Sequence, residues 1–321
     1  MTVARSEVVT NRSPRSCLKL SVGSLIEIAS NASSTSNEQC NFANVNRRYA
    51  TVSGKAKLPE YNAPPLNEVV VGVQFAQPAG YGQIRAGEVW SLFRKDYPNV
   101  EEYPPLAPAF ETFGLPQSSQ FNFGLVSGVS HDRFWFVSES KDELIQFQND
   151  RLLHNWRKVG DQTNNYPRFE SIIEKFEGEL RRLDEYITTL TPQRLKINQS
   201  EITYINHIPY DGGVGTPCPV GKWLTLFNID ALAFEDFNCT FRRRVVRDDG
   251  TVYARLSCQV AVAVVPRGQH VIVLNLTFRG APQGDTIESA LEFLGTGHQL
   301  IVEFFTQITT KQAHVAWERT R

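Results

Sequence analysis

The sequence lacks any long hydrophobic run, and this absence excludes one class of protein. A membrane-spanning helix needs about 20 consecutive apolar residues, and no stretch of the 321 residues reaches that length. Near the N-terminus, LKLSVGSLIEIA is interrupted by Lys19, Ser21, Gly23 and Glu27, so it lacks the apolar core of a secretion signal. We therefore expect a cytoplasmic protein without a membrane partner.

An excess of charge and paired cysteines are also lacking. The formal net charge is −1, which gives no overall attraction to nucleic acid or to an anionic membrane. Any such attraction has to come from a local patch. The chain contains no CxxC pair, which argues against a zinc site or a disulfide framework and favours reduced thiols. The five cysteines are Cys17, Cys40, Cys218, Cys239 and Cys258.

Motifs for catalysis or for a cofactor are the third absence. No GxSxG elbow and no HExxH pair occur, and the six histidines are scattered along the chain. The loop YDGGVGTPCPVGKW, at 210–223, departs from a phosphate loop because Pro217 and Pro219 remove backbone amides. Trp223 also stands where that pattern needs a hydroxyl group. We therefore expect no cofactor and no metal ion.

The composition changes near residue 60. The stretch ASNASSTSNEQCNFANVN, at 29–46, is rich in Ser and Asn and has no apolar periodicity. Such a segment cannot bury enough apolar surface to offset the entropy lost on ordering. We predict that residues 1–60 form a disordered or loosely packed extension, which ends at the proline-rich boundary LPEYNAPPLNE.

The remainder of the chain has two halves with the same predicted order of elements. Each half contains a strand, a helix or loop, three strands and a long helix, with the long helices at 166–190 and 285–309. The sequence predicts an α+β fold with an internal duplication, in which an antiparallel sheet packs long helices on one face. The predicted units are residues 61–197 and 198–321. Whether their sheets join is left open, and the GTG before His298 predicts a kink or a restart of the second long helix.

Several motifs together resemble a known family. PPLNEVVVGVQF, LIQFQNDRLLHNWR, YPRFESIIEKF, ITYINHI and GHQLIVEFFTQITTKQAHVAWER are similar to a sporadically distributed, uncharacterised prokaryotic protein family. The resemblance covers residues 64–319 and leaves the N-terminal extension outside it. It implies a bacterial or archaeal cytoplasmic protein, and the patchy distribution suits an accessory role in defence or on mobile elements.

Alternation along the strands predicts a polar sheet face that bears several arginines. Apolar residues of the three strands in the second half face the helix, which leaves their polar neighbours on the other side. Arginine on such a face can bind phosphates or carboxylates through two hydrogen bonds. The candidate binding residues are Arg242, Arg244, Arg255, Gln259, Asn275 and Arg279, with Gln146, Gln148 and Arg157 from the first half.

Two functions follow from these patterns. The first is a non-enzymatic binding protein whose polar face holds a protein partner or a small anionic ligand, although the same pattern also suits a merely solvated face. Nucleic acid is a weaker candidate because the face lacks aromatic residues for stacking. The second is a phosphoester hydrolase or nuclease at the junction of the halves, for which Asp150, His154, His207 and Asp211 have to converge.

Overall fold

The computed structural model describes residues 57–113, 132–160, 163–212, 216–227, 236–265 and 268–321. Residues 1–56, which make up nearly all of the predicted extension, lie outside these ranges together with two of the five cysteines. The described residues all belong to one compact unit, Arg48–Arg321.

Nine strands of the described chain form one antiparallel sheet in the order β2-β3-β4-β5-β1-β6-β9-β8-β7. The two central strands, β1 and β6, pair with each other and so join the strands of both halves. In β1, alternate valines are fully buried on one face, as the β-branched run predicts. The strands are Leu66–Phe75, Asn99–Tyr103, Arg133–Val137, Glu143–Gln148, Arg151–Arg157, Ile197–Tyr210, Asn238–Val246, Val252–Val265 and Gln269–Gly280.

Two long helices, each of 22 residues, pack on the same face of this sheet. Helix α2 contacts β1 and β5, helix α4 contacts β6 and β9, and the two helices contact each other. Their apolar stripes cover the central strands, as the 3.6-residue periodicity predicts. A 3-10 turn, Gln83–Arg85, precedes α1. The helices α1 to α5 are Ala86–Phe93, Phe169–Leu190, Val220–Trp223, Ile287–Ile308 and Lys311–Ala316.

Helix α4 (Ile287–Ile308) runs without interruption through its GTG sequence, so a restart of the helix there, the alternative to a kink, is wrong. Thr286 caps the helix by accepting a hydrogen bond from the backbone amide of Ser289. Gly297 lies where α4 comes closest to the sheet. A Cβ atom there would come within 2.5 Å of Phe278 and 2.7 Å of Ile202. The glycine therefore permits a close contact between helix and sheet, not a break in the helix.

The α+β class and the antiparallel sheet with helices on one face are confirmed. Reading outward from β1, the neighbours are β5, β4 and β3; reading outward from β6, they are β9, β8 and β7. In both directions, the first strand of a half is followed by its last three strands in reverse order. The internal duplication stays a prediction that this order suits. Among the described residues, no helix is long and apolar enough to cross a membrane.

Candidate functional site: the helix-free sheet face

The strand register places the predicted binding residues on one face. Cross-strand partners in an antiparallel sheet share a face, and Arg244, Arg255 and Arg279 are successive partners across β7, β8 and β9. The row continues through Glu201 and Gly72 and reaches Gln146 in the first half. Alternation puts Gln148, Arg157, Arg242, Gln259 and Asn275 on this same side, which the long helices do not cover.

A segment of the chain itself lies across this face. Residues 104–113, PPLAPAFETF, follow β2 and contact side chains from both halves of the sheet. We call this segment the strap. Its prolines cannot donate backbone hydrogen bonds, so the strap adds no regular strand.

Two glutamine side chains bind the backbone of the strap. Leu106 donates its amide to Gln148 Oε1 at 2.9 Å, and Gln148 Nε2 donates to the Leu106 carbonyl at 3.0 Å. Ala109 and Gln74 form the same reciprocal pair, at 3.0 Å and 2.9 Å. Each glutamine thus satisfies both the N–H and the C=O of one residue, as a cross-strand partner does in an antiparallel sheet. Arg151 also donates to the Leu106 carbonyl, at 3.2 Å.

An ion pair binds the C-terminal end of the strap to the sheet. The Arg255 guanidinium donates to the Glu111 carboxylate and, at 2.7 Å, to the Thr112 carbonyl. Arg279 approaches the second Glu111 oxygen at 3.8 Å and is bound by Glu201 at 2.5 Å. The Phe113 ring lies 5.4 Å from the Arg255 guanidinium carbon. Glu111 and Glu201 thereby offset the repulsion within the arginine row.

The strap is attached through polar groups and buries little apolar surface. Leu106 and Phe110 are 39% and 54% exposed, whereas the side chains of Arg255 and Glu111 are only 6% and 9% exposed. Beneath the strap lies a space of about 200 Å³ lined by Gln199 and other polar side chains. Gln199 Oε1 is buried there without a hydrogen-bond partner among the described residues.

The other predicted binding residues have different surroundings. Gln146 accepts from Arg133 and donates to Asn155, both within the sheet. Arg157, the last residue of β5, donates to the Lys141 carbonyl and so contacts the turn between β3 and β4. Asn275 Oδ1 is buried without a partner, while Gln259 is exposed. Arg242 and Arg244 are exposed on β7, and neither forms an ion pair with any residue that the structure describes.

The four residues proposed for catalysis do not converge. His154 is fully buried on the helix-covered face, in register with Val71, whereas His207 lies on the opposite face. Asp150 lies in the β4-β5 turn and forms an ion pair with Arg151, and Asp211 follows the end of β6. The predicted catalytic set is therefore wrong as a site, because the sheet separates its two histidines.

His154 instead belongs to a buried polar cluster beneath α2. Its Nδ1 lies 3.1 Å from Glu179 Oε2, and Tyr97 donates its hydroxyl to Glu179 Oε1 at 2.5 Å. Burial raises the pKa of Tyr97, and the nearby Glu179 carboxylate raises it further. All three side chains are out of reach of solvent. The cluster ties α2 and the loop after α1 to β5, and no substrate can touch it.

Several residues of the site carried too little signal in the sequence. Gln74 ends a valine-rich strand, where a single polar residue is common, and Glu111 lies in a proline-rich stretch without periodicity. The odd spacing of Gln74 relative to the buried valines, Val69, Val71 and Val73, places it on the helix-free face and was the available signal. Nothing local identifies Glu111 as the partner of an arginine 144 residues later.

Neither a metal site nor a match to known proteins identifies a function. Within the described ranges, no group of three or more His, Cys, Asp or Glu side chains is placed to hold a metal ion. No protein-family model matches the chain, and no curated protein matches it.

Proposed function

We propose that this is a non-enzymatic binding protein whose helix-free sheet face holds an extended, acidic peptide segment of a protein partner. The single observation that carries this proposal is the strap, because it is a peptide of that kind lying on the face. It supports the binding role expected from the sequence and gives that role a recognition mode.

The recognition mode has two parts. Gln148 and Gln74 bind the backbone N–H and C=O of Leu106 and Ala109, three residues apart, and in the strap they hydrogen-bond only to backbone atoms, so they tolerate many side chains. Arg255 then selects a carboxylate two residues beyond Ala109. A partner segment with an acidic residue at that spacing would make the same contacts. Backbone binding supplies affinity, and the charge supplies register and specificity.

The strap is suited to exchange with such a segment. Its contacts are mostly polar, and the Leu106 and Phe110 side chains remain exposed. Segments with few buried apolar contacts open at low free-energy cost. Arg242 and Arg244 stand on the neighbouring outer strand without ion pairs among the described residues, so a longer acidic segment would find cations beyond Arg255.

A synthetic peptide with the strap sequence tests this recognition directly. In the full chain, residues 104–113 are replaced by a Gly/Ser stretch of equal length, and binding of the fluorescent peptide is followed by anisotropy. We expect the replaced protein to bind at least about tenfold more tightly than the wild type, whose tethered strap competes at a millimolar effective concentration.

The control and the contradicting outcome use the same assay. A peptide carrying Gln at the Glu111 position should bind about tenfold more weakly, because Arg255 then lacks its charged partner. Oligonucleotides and inorganic phosphate serve as competitors for the anionic-ligand alternative. If the folded, strap-replaced protein does not bind the peptide, or if phosphate displaces it fully, the face does not recognise peptides.

A further inference from the structure

A cavity of about 290 Å³ lies on the other side of the sheet, away from the strap. It is enclosed by the start of α2, the middle of α4, strands β6 and β9, and residues 58–66. Most of its buried walls are apolar and are formed by Leu66, Phe169, Leu276, Ile301 and Phe305. The buried Asn206 and the charged side chains of Arg168 and Glu170 also line it.

One chain of hydrogen bonds enters this apolar space. The Tyr166 and Tyr204 hydroxyls are 3.3 Å apart, and the Tyr204 hydroxyl lies 2.7 Å from His298 Nδ1. The His298 ring stacks on Phe169, with ring centroids 4.1 Å apart and planes 6° from parallel. Burial lowers the pKa of His298 to about 4, so the imidazole is neutral at pH 7. A chain of two phenols and a neutral imidazole can donate or accept at its open end.

The backbone at the rim of the cavity is strained. Arg168, at the rim where α2 begins, has φ 73° and ψ 159°, a strained backbone conformation for any residue except glycine. Strain of this kind is common at ligand clamps. The charged side chains that line the cavity are Glu60, Arg168, Glu170 and Arg321, two of each sign, and Glu60 and Arg321 form an ion pair.

We propose that this cavity binds a small, uncharged and mostly apolar molecule of bicyclic size, whose single hydroxyl or carbonyl group hydrogen-bonds to the Tyr166–Tyr204–His298 chain. The size follows from the volume, since an engineered apolar cavity of about 150 Å³ in another protein holds one benzene ring. The absence of charge on the ligand follows from the apolar walls, because burying an unpaired charge there is costly.

The test uses 2-naphthol and naphthalene with the full chain. The two compounds share a ring system and differ only in the hydroxyl group, and titration calorimetry measures both. We expect 2-naphthol to bind with Kd on the order of 100 µM, about three- to tenfold more tightly than naphthalene because of one added hydrogen bond. The double variant Tyr166→Phe/Tyr204→Phe should lose most of this difference. Tyr210→Phe, on β6 outside the cavity, should keep it.

A second variant locates the bound molecule. Val302→Trp fills the cavity from α4 and should weaken both compounds by at least about tenfold; Val302→Met, a smaller filling group, replaces it if thermal melting shows that the tryptophan variant does not fold. The proposal is overturned if neither compound binds below millimolar concentration, if filling the cavity leaves binding unchanged, or if 2-naphthol has no advantage over naphthalene.

Discussion

Glu111 and Arg255 form a nearly buried ion pair between residues 144 positions apart in the chain. Their side chains are 9% and 6% exposed, so little solvent screens the pair. A charge left without its partner in such surroundings is strongly destabilising. The pair therefore holds the end of the strap on the sheet. The proposed peptide binding is based on the contacts of this strap.

Replacing the arginine should release the strap. In Arg255→Ala, the Glu111 carboxylate loses its cation and the strap moves toward solvent, where the charge is hydrated. We expect a loss of about 1–3 kcal/mol in the free energy of unfolding, and hydrogen exchange about tenfold faster in residues 109–113. Arg242→Ala, on the exposed β7, should change stability by less than about 0.5 kcal/mol. Unchanged exchange in Arg255→Ala would contradict the fastening role.

Two variants of Gln74 distinguish the contribution of its side-chain donor from that of its side-chain acceptor. Gln74→Glu keeps an acceptor for the Ala109 amide but loses the donor to the Ala109 carbonyl, whereas Gln74→Leu loses both. We expect the Ala109 amide to exchange faster in both variants, with the larger increase in Gln74→Leu. Amide-resolved exchange by NMR makes the measurement. Equal exchange in the wild type and Gln74→Leu would show that the pair does not hold the strap.

The cluster around Glu179 should govern stability and leave peptide binding unchanged. Glu179→Ala removes the shared partner of His154 and Tyr97, which stay buried with only the long 3.4 Å contact between the Tyr97 hydroxyl and His154 Nδ1. Urea unfolding should show a loss of about 3–4 kcal/mol for Glu179→Ala and a smaller loss for Glu179→Gln, which still accepts hydrogen bonds. Weaker peptide binding by the folded Glu179→Gln protein would point to an unexpected role in recognition.

Two glycines of helix α4 form a matched pair. At Gly297 an added methyl group would collide with Phe278 and Ile202, so Gly297→Ala should destabilise the protein by about 1–3 kcal/mol. At Gly295 the methyl group would meet nothing within 4 Å, and Gly295→Ala should stabilise by about 0.5–1 kcal/mol through helix propensity. Opposite signs in thermal melting support the continuous helix. Equal effects would contradict the close contact at Gly297.

Because His298 is neutral in the folded protein, we expect the free energy of unfolding to depend on pH. In the unfolded chain this imidazole binds a proton below pH 6.5, whereas burial lowers its folded pKa to about 4, despite the opposing effect of the Glu170 carboxylate. The unfolded state therefore binds more protons between these values. As the pH falls from 6.5 to 4, this group should lower the free energy of unfolding by up to about 1.4 kcal/mol per pH unit, and it should have no effect above pH 6.5.

The matched variant for this window is His298→Phe. It keeps the ring stacked on Phe169 and removes the titrating group, so its unfolding free energy should decline less between pH 6.5 and pH 4. The other histidines are present in both proteins and cancel in the comparison. Identical slopes for the two proteins would show that His298 is already solvated in the folded state.

Strand alternation predicted the side of the sheet on which each polar residue lies. In β8, Leu256 and Cys258 are buried on one face, and Arg255, directly before Leu256, lies on the other face, because neighbouring side chains in a strand point oppositely. The same rule would have placed His154 in the core. It is two residues from Trp156, whose side chain is also buried on the helix-covered face. Alternation along β5 thus predicts a buried His154 and argues against its role in catalysis.

The strap could not be predicted, for a different reason. Residues 104–113 have three prolines and no apolar period, so neither helix nor strand geometry constrains them locally. Their position depends on Gln148, Gln74 and Arg255, which lie 35 to 144 residues away from their partners in the strap. Contacts of that range are determined by the assembled sheet. The sequence thus predicted the face but not its occupant.

The most direct test of the central claim is a crystal structure of the strap-replaced protein bound to the peptide PPLAPAFETF. We expect the peptide to lie across the helix-free face, with the backbone N–H and C=O of its leucine bound to Gln148 and its glutamate bound by Arg255. A peptide seated elsewhere, or bound without the Arg255 contact, would contradict the account.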